Sequence, residues 1–265
     1  MLQHIQRTEL TVETFLARAS DAPPAEITKA SVDTRAWFTT SGGQAYFLKW
    51  VQTGRYEASL AKDVAICSAD LHPAIVHLLN VVQTADGVLL VYEKAPGETL
   101  DRANRPRFFA LPVATKLQAL QAIFGALEAI VDAGWIMVDF YEGNVIYDFA
   151  TDRVTIFDFE LFERGDRFVL LLERNYGSRR LMAPEEWVRG AVIDQKSNVF
   201  TLGRYAINAL SSRIDEQWRS KFQGSPPLAD VLARATLTER NKRYTTVREF
   251  VAAFEQVIGS ASGSH

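Results

Sequence analysis

Near Ala95 the apolar pattern of this chain turns from mostly strand-like to mostly helical, and that change limits the folds open to it. Before it, RAWFTT and QAYFLKWV have the strand character of a hairpin, separated by Ser41-Gly42-Gly43. AIVHLLNVVQT and GVLLVYEK, split by Ala85-Asp86-Gly87, read as a second strand pair. Between the pairs, residues 56–71 carry helical spacing. The helix is expected to stop at His72-Pro73, because the residue before proline resists the helical region. After Ala95, VATKLQALQAIFGALEAIVDAG sustains a helical period to a glycine stop at Gly134. Two short strand-like pieces follow, NVIYDF and RVTIFDF, and then a charged, irregular stretch over 163–182 with the character of a long functional loop. Further helices are predicted over 195–211, 228–236 and 246–257. A small antiparallel sheet with one helix, followed by a mostly helical segment, is an α+β arrangement in two parts.

The ends of the chain read differently. Residues 1–29 form an N-terminal extension with a short helix predicted at TVETFLARA and a break at Asp21–Pro24. Residues 259–265, GSASGSH, are small and polar and are expected to be a disordered tail. A length of 265 residues suits one domain or two tightly packed lobes. The formal charge of −3 gives no overall field toward nucleic acid or an anionic membrane, so neither is an expected partner. A single cysteine, Cys67, rules out an intrachain disulfide and a cysteine-based zinc site and fits a reducing compartment. The apolar runs are short, and MLQHIQRTEL lacks a signal-peptide core. The expected location is cytoplasmic.

Five positions carry candidate chemistry. Lys49 lies in the alternating strand YFLKW, where a lysine is either a solvated strand residue or a point charge for phosphates. In VDFYEGN, Asp139 stands five residues before Asn144, between a helix end and a strand. A carboxylate there can accept a hydroxyl proton, and an amide oxygen can ligate Mg²⁺ without adding charge; the bland alternative is a polar turn. In IFDFELF, Asp158 is placed at the end of an apolar strand, where an acid is costly unless paired or metal-bound. Glu160 would point to the same side if that strand continued, as a further ligand.

Taken in order, these motifs resemble the eukaryotic-type (Ser/Thr) protein kinase superfamily, in the manner of its divergent bacterial members, over about 30–258. The resemblance implies a bilobal fold: an N-lobe over 30–94 and a C-lobe over 95–258. It implies ATP and Mg as cofactors. Asp139 matches the catalytic-loop aspartate, Asn144 the metal-binding asparagine, Asp158 the aspartate of D-F-G, and Lys49 the phosphate-binding strand lysine. GSRRLMAPEE is similar to the end of the activation segment, and DQKSNVFTLG to the helix after it. By the same match Arg243 pairs with Glu185, Tyr92 is the gatekeeper, and Glu93 and Ala95 offer backbone groups to adenine.

The departures are specific. KASVDTRAW has no glycine where the phosphate loop falls, which is closer to the aminoglycoside phosphotransferases, and Ser31 becomes the loop candidate. The helix acid facing Lys49 is Asp63 by register, with Glu57 as the alternative. Met137-Val138 replaces the usual His-Arg, Tyr141 replaces the usual lysine, and Asn198 replaces an aspartate. An arginine from 174–180 would then have to neutralise the transferring phosphoryl group. Glu160, in the place of the D-F-G glycine, is either a third metal contact or a lock on the loop.

The expected function is phosphotransfer from ATP to a hydroxyl, with Asp139 as base, Asn144 and Asp158 (with Glu160) on Mg, and Lys49 held by Asp63 on the phosphates. A protein Ser/Thr acceptor is preferred. The alternatives are a pseudokinase scaffold acting through partners, or a small-molecule kinase with an acidic pocket built from Glu142, Glu160 and Glu163. The sequence leaves the oligomeric state open.

Overall fold

The computed structural model describes residues 2–4, 6–27, 34–54 and 57–262. The chain divides into two compact units, with the changeovers at Asp70/Leu71, Ala74/Ile75 and Pro96/Gly97.

The first unit contains α1 (Val12–Ala19), β1 (Ala25–Glu26), β2 (Thr34–Ser41), β3 (Gln44–Gln52), α2 (Glu57–Cys67), β4 (Leu78–Gln83) and β5 (Gly87–Glu93). Its five strands form an antiparallel sheet in the order β1-β2-β3-β5-β4. Gly42 and Gly43 turn the β2–β3 hairpin with φ of 62° and 78°, the two-residue geometry that glycine adopts without strain. Their N–H groups donate to the two carboxylate oxygens of Asp21 at 2.9 and 3.0 Å. The period of two along β3 separates two faces. Tyr46, Leu48 and Trp50 pack with Phe15 and Leu16 of α1, so the N-terminal extension contributes to this core. Thr8 N and Gln83 N bond Gln83 O and Gln6 O, and that pairing covers the outer edge of β4. The helix predicted to reach 71 ends at Cys67, and Asp70 takes a left-handed φ of 47°.

The second unit contains β6 (Glu98–Thr99), α3 (Arg105–Phe109), α4 (Val113–Asp132), β7 (Trp135–Ile136), β8 (Val145–Asp148), β9 (Arg153–Ile156), β10 (Glu163–Arg164), β11 (Arg167–Val169), β12 (Val192–Asp194), α5 (Gln195–Ser211), α6 (Pro226–Ala235) and α7 (Val247–Ser262). Its core is helical. Phe124 of α4 lies 5.4 Å from Phe250 and 5.0 Å from Phe254 of α7, ring centre to ring centre. The stretch 163–182, read as a loop, includes two short strands: β10 pairs β7, and β11 pairs β12. Elements of two or three residues carry no periodicity to read. The helix α7 continues to Ser262, past the expected end near 258, and Ser260 Oγ donates to Gln256 O at 2.7 Å. That corrects the disordered tail for 259–262. Among the described residues, no helix is long and apolar enough to cross a membrane.

Candidate active site

In the first unit, the β3–β5 register pairs Phe47 with Tyr92 and Lys49 with Leu90, so all four side chains share the sheet face opposite α1. The helix α2 covers that face. Its Asp63 is buried, and the Tyr92 hydroxyl donates to one carboxylate oxygen while the Cys67 thiol approaches the other at 3.7 Å. Asp63 is therefore an α2 acid turned toward the face that carries Lys49, and the side chain of Glu57, the alternative, lies outside the described residues. Glu93 ends β5 and donates its N–H to His77 O at 3.1 Å. Ala95 follows in irregular chain just before the Pro96/Gly97 changeover. Ser31, the phosphate-loop candidate, lies outside the described residues.

In the second unit, the turn between β7 and β8 is fixed from both ends. Asn198 of α5 accepts from Met137 N at 3.0 Å and donates to Met137 O at 2.9 Å. An amide can do both, whereas a carboxylate can only accept. Two residues on, Asp139 takes φ 59°, a left-handed backbone that aspartate tolerates at some cost. Gly177 lies against it: a Cβ there would stand 3.6 Å from Asp139 Cα. At Asn144, the side-chain Oδ1 accepts from Tyr141 N at 3.0 Å and the backbone carbonyl accepts from Phe157 N at 3.1 Å. Val145 pairs Ile156 across β8–β9, so this turn and the segment after β9 are joined directly.

Asp158 does not sit in a strand. The strand β9 ends at Ile156, and Asp158 is exposed with φ 71°. The alternation that would have placed Glu160 on the same side is broken there, so strand continuation no longer supports it as a ligand. Asp139 and Asp158 nevertheless feel each other. Burial, and then the Asp158 charge, push the Asp139 carboxyl up to about 6, against the opposing pull of Arg174. The Tyr141 hydroxyl is pushed up by burial and by both aspartates, which places it in the same cluster.

Several contributors were not legible beforehand. The Tyr141 ring folds over Gly143, where a Cβ would come within 2.3 Å of the ring. Glu142, expected in an acidic pocket, is only 3% exposed. It is held by both terminal nitrogens of Arg180 and by Asn208, with Arg105 at 3.9 Å. That pairing also removes Arg180 from the arginines available to a phosphoryl group. Glu163 lies on β10 opposite Ile136.

The pairing of Glu185 with Arg243 is as expected. Arg243 has a side-chain exposure of 0% and makes a two-pronged bond to Glu185 at 2.7 and 3.0 Å, while Ser197 Oγ donates to Glu185 at 2.7 Å. Burial alone would raise this carboxyl, but the bonds from Arg243 and Ser197 hold it below the usual carboxylate range. Its neighbour Glu186 accepts from Ala183 N at 2.7 Å and Asn175 Nδ2 at 2.9 Å, and burial pushes it up to about 7.

A family profile described as the protein kinase domain matches residues 39–248. The chain is also 26% identical over 159 residues to a protein named serine/threonine-protein kinase pkn2 of Myxococcus xanthus. That alignment covers 58% of this chain and 19% of the relative, so the chain spans about a fifth of the relative's length. With an α+β architecture, an antiparallel sheet in its first part and a helical second part, the chain belongs to the protein kinase domain family.

Proposed function

We propose that this chain is an ATP- and Mg-dependent phosphotransferase that moves the γ-phosphoryl group to a hydroxyl, with a protein Ser/Thr side chain as acceptor. The observation that carries this reading is the junction of Asn144 with the segment bearing Asp158, closed by the Phe157 N–Asn144 O bond, with Asp139 electrostatically coupled to it. Asn144 Oδ1 has one lone pair engaged by Tyr141 N and a second that stays open to a cation. Asp158 adds an exposed carboxylate whose charge burdens Asp139, a repulsion that a hard divalent ion would relieve. Among the described residues, no three His, Cys, Asp or Glu side chains gather to hold a metal by themselves, so this donor set suits an ion completed by phosphate oxygens and water. When bound, the ion supplies neutralisation of phosphate charge.

The chain's own groups divide the remaining work. Asp139, pushed to about 6, is mostly ionised at neutral pH and receives the hydroxyl proton. Lys49, on the face toward which Asp63 turns, orients phosphates as a point charge, and Glu93 and Ala95 offer backbone groups to the adenine edge. A protein acceptor is favoured by the Glu185–Arg243 clamp, which anchors the segment that follows Asp158, and by the kind of relative the chain resembles. Glu142 is spent on Arg180, which weakens the small-molecule reading. The absence of glycine from KASVDTRAW, Met137-Val138 in the place of His-Arg and Tyr141 in the place of the lysine favour a scaffold without catalysis.

Phosphate incorporation measured by mass, with ATP and Mg and with protein and small-molecule acceptors, tests this. Incorporation by wild type and its loss in Asp158→Ala is the expected result. Failure of both proteins with every acceptor overturns it.

A further inference from the structure

When the charges of residues 173–189 are matched one by one, two guanidinium groups remain. Glu173 pairs with Arg189 at 3.2 Å, Arg180 with Glu142, and Glu185 with Arg243. Glu186 is buried against Ala183 N and Asn175. Among the described residues, neither Arg174 nor Arg179 has a carboxylate within ion-pair distance. Both lie instead over the indole of Trp187, at 5.5 and 5.8 Å from the ring centre. A guanidinium held over an indole is not neutralised by it, and its N–H groups remain able to bind an anion.

The patch is accessible and adjoins the catalytic aspartate. Trp187 is 41% exposed, Tyr176 53% and Val188 55%, so aromatic and aliphatic surface surrounds the two cations. Arg174 Nη1 reaches Met182 Sδ at 3.7 Å, and Met182 packs beside Gly177, which abuts Asp139. Tyr176, Ser178 and Met182 line a small cavity together with Asp139. A peptide whose hydroxyl reached Asp139 would thus lay its neighbouring residues across Trp187 and its two arginines. A chain of net charge −3 that keeps two guanidinium groups without a carboxylate in ion-pair reach at this one place, one of them felt by Asp139, is complementary to an acidic ligand.

We propose that Arg174, Arg179 and Trp187 form a docking subsite for acidic peptide, which selects acceptor hydroxyls flanked by carboxylate or phosphorylated side chains. This rests on the phosphotransferase reading for the word acceptor; the binding itself does not.

The test uses the full chain without nucleotide and a labelled serine peptide flanked by glutamates, compared with the same peptide carrying glutamines. Anisotropy titration should give about tenfold tighter binding of the glutamate peptide, as expected for charge-assisted bonds to two arginines. Arg174→Gln with Arg179→Gln should abolish the preference. Arg179→Gln alone, at an exposed position, should reduce it about threefold and guards against misfolding of the double variant. Phosphoserines in place of the glutamates bind tighter if the fork reads phosphate and equally if it reads any carboxylate; either outcome upholds a cationic subsite. Equal binding of the glutamate and glutamine peptides, or a preference that survives in both variants, overturns it. Arginine-dependent binding without phosphate incorporation removes the phosphotransferase reading and leaves the subsite. Incorporation with no preference between the peptides does the reverse.

Discussion

The segments 183–186, 194–198 and 240–243 meet in a clamp where each carboxylate is answered: Glu185 by Arg243 and Ser197, Asp194 by Lys196 N and Arg240. At Asp139 of the same unit the balance runs the other way. Asp139 and Asp158 both hold left-handed backbones, and burial with the neighbouring charge raises the Asp139 carboxyl to about 6, whereas Glu185 is held low. At the clamp charge holds segments together, and at Asp139 a carboxylate is kept at a cost. Backbone strain and a raised carboxyl of that kind concentrate where a ligand is to be bound.

The largest effect should come from Asp139→Asn. Phosphate incorporation should fall by about 10³-fold, as for loss of a general base, while the thermal midpoint stays near wild type. A collapse in stability would show that Asp139 belongs with the clamp. Arg243→Met should do the opposite and cost about 3 kcal/mol in denaturant unfolding, because the half-buried Glu185 loses its main partner and keeps only Arg240 and Ser197. Adding Glu185→Gln should recover much of it. Asn198→Asp, conservative in shape, removes the donor to Met137 O and sets a carboxylate against a carbonyl. A loss of about 1–3 kcal/mol is expected, together with lower phosphate incorporation from a loosened turn.

The smallest effect concerns pH. Glu186, pushed up to about 7, binds its proton more tightly folded than unfolded. Its contribution to stability is therefore fully present below the ordinary glutamate range and is lost as pH rises through about 7. Thermal midpoints measured between pH 5 and 8 should decline in wild type and flatten in Glu186→Gln.

Much of this was legible where a local rule and the fold agree. Consecutive glycines at 42–43 between alternating segments specify the hairpin, and the sustained period of 113–132 specifies the long helix. The Arg243–Glu185 pair was legible only through the resemblance, since 58 residues separate them. What was missed depends on tertiary surroundings. Glu142 reads as a surface acid until Arg180 and Asn208 are seen to bury it. Asp158 reads as a strand residue because IFDF is apolar, yet the backbone leaves β-geometry at that position. Gly143 carries meaning only once the Tyr141 ring is seen above it.

The central claim is that the Asn144–Asp158 junction serves a divalent ion and a nucleotide, whereas the clamp serves the fold. Thermal unfolding with ATP, with Mg, and with both tests it most directly. The account predicts a raised midpoint in wild type that needs both, is lost in Asp158→Ala, and survives in Arg240→Gln at the clamp. The same rise with ATP alone, or an undiminished rise in Asp158→Ala, would contradict it.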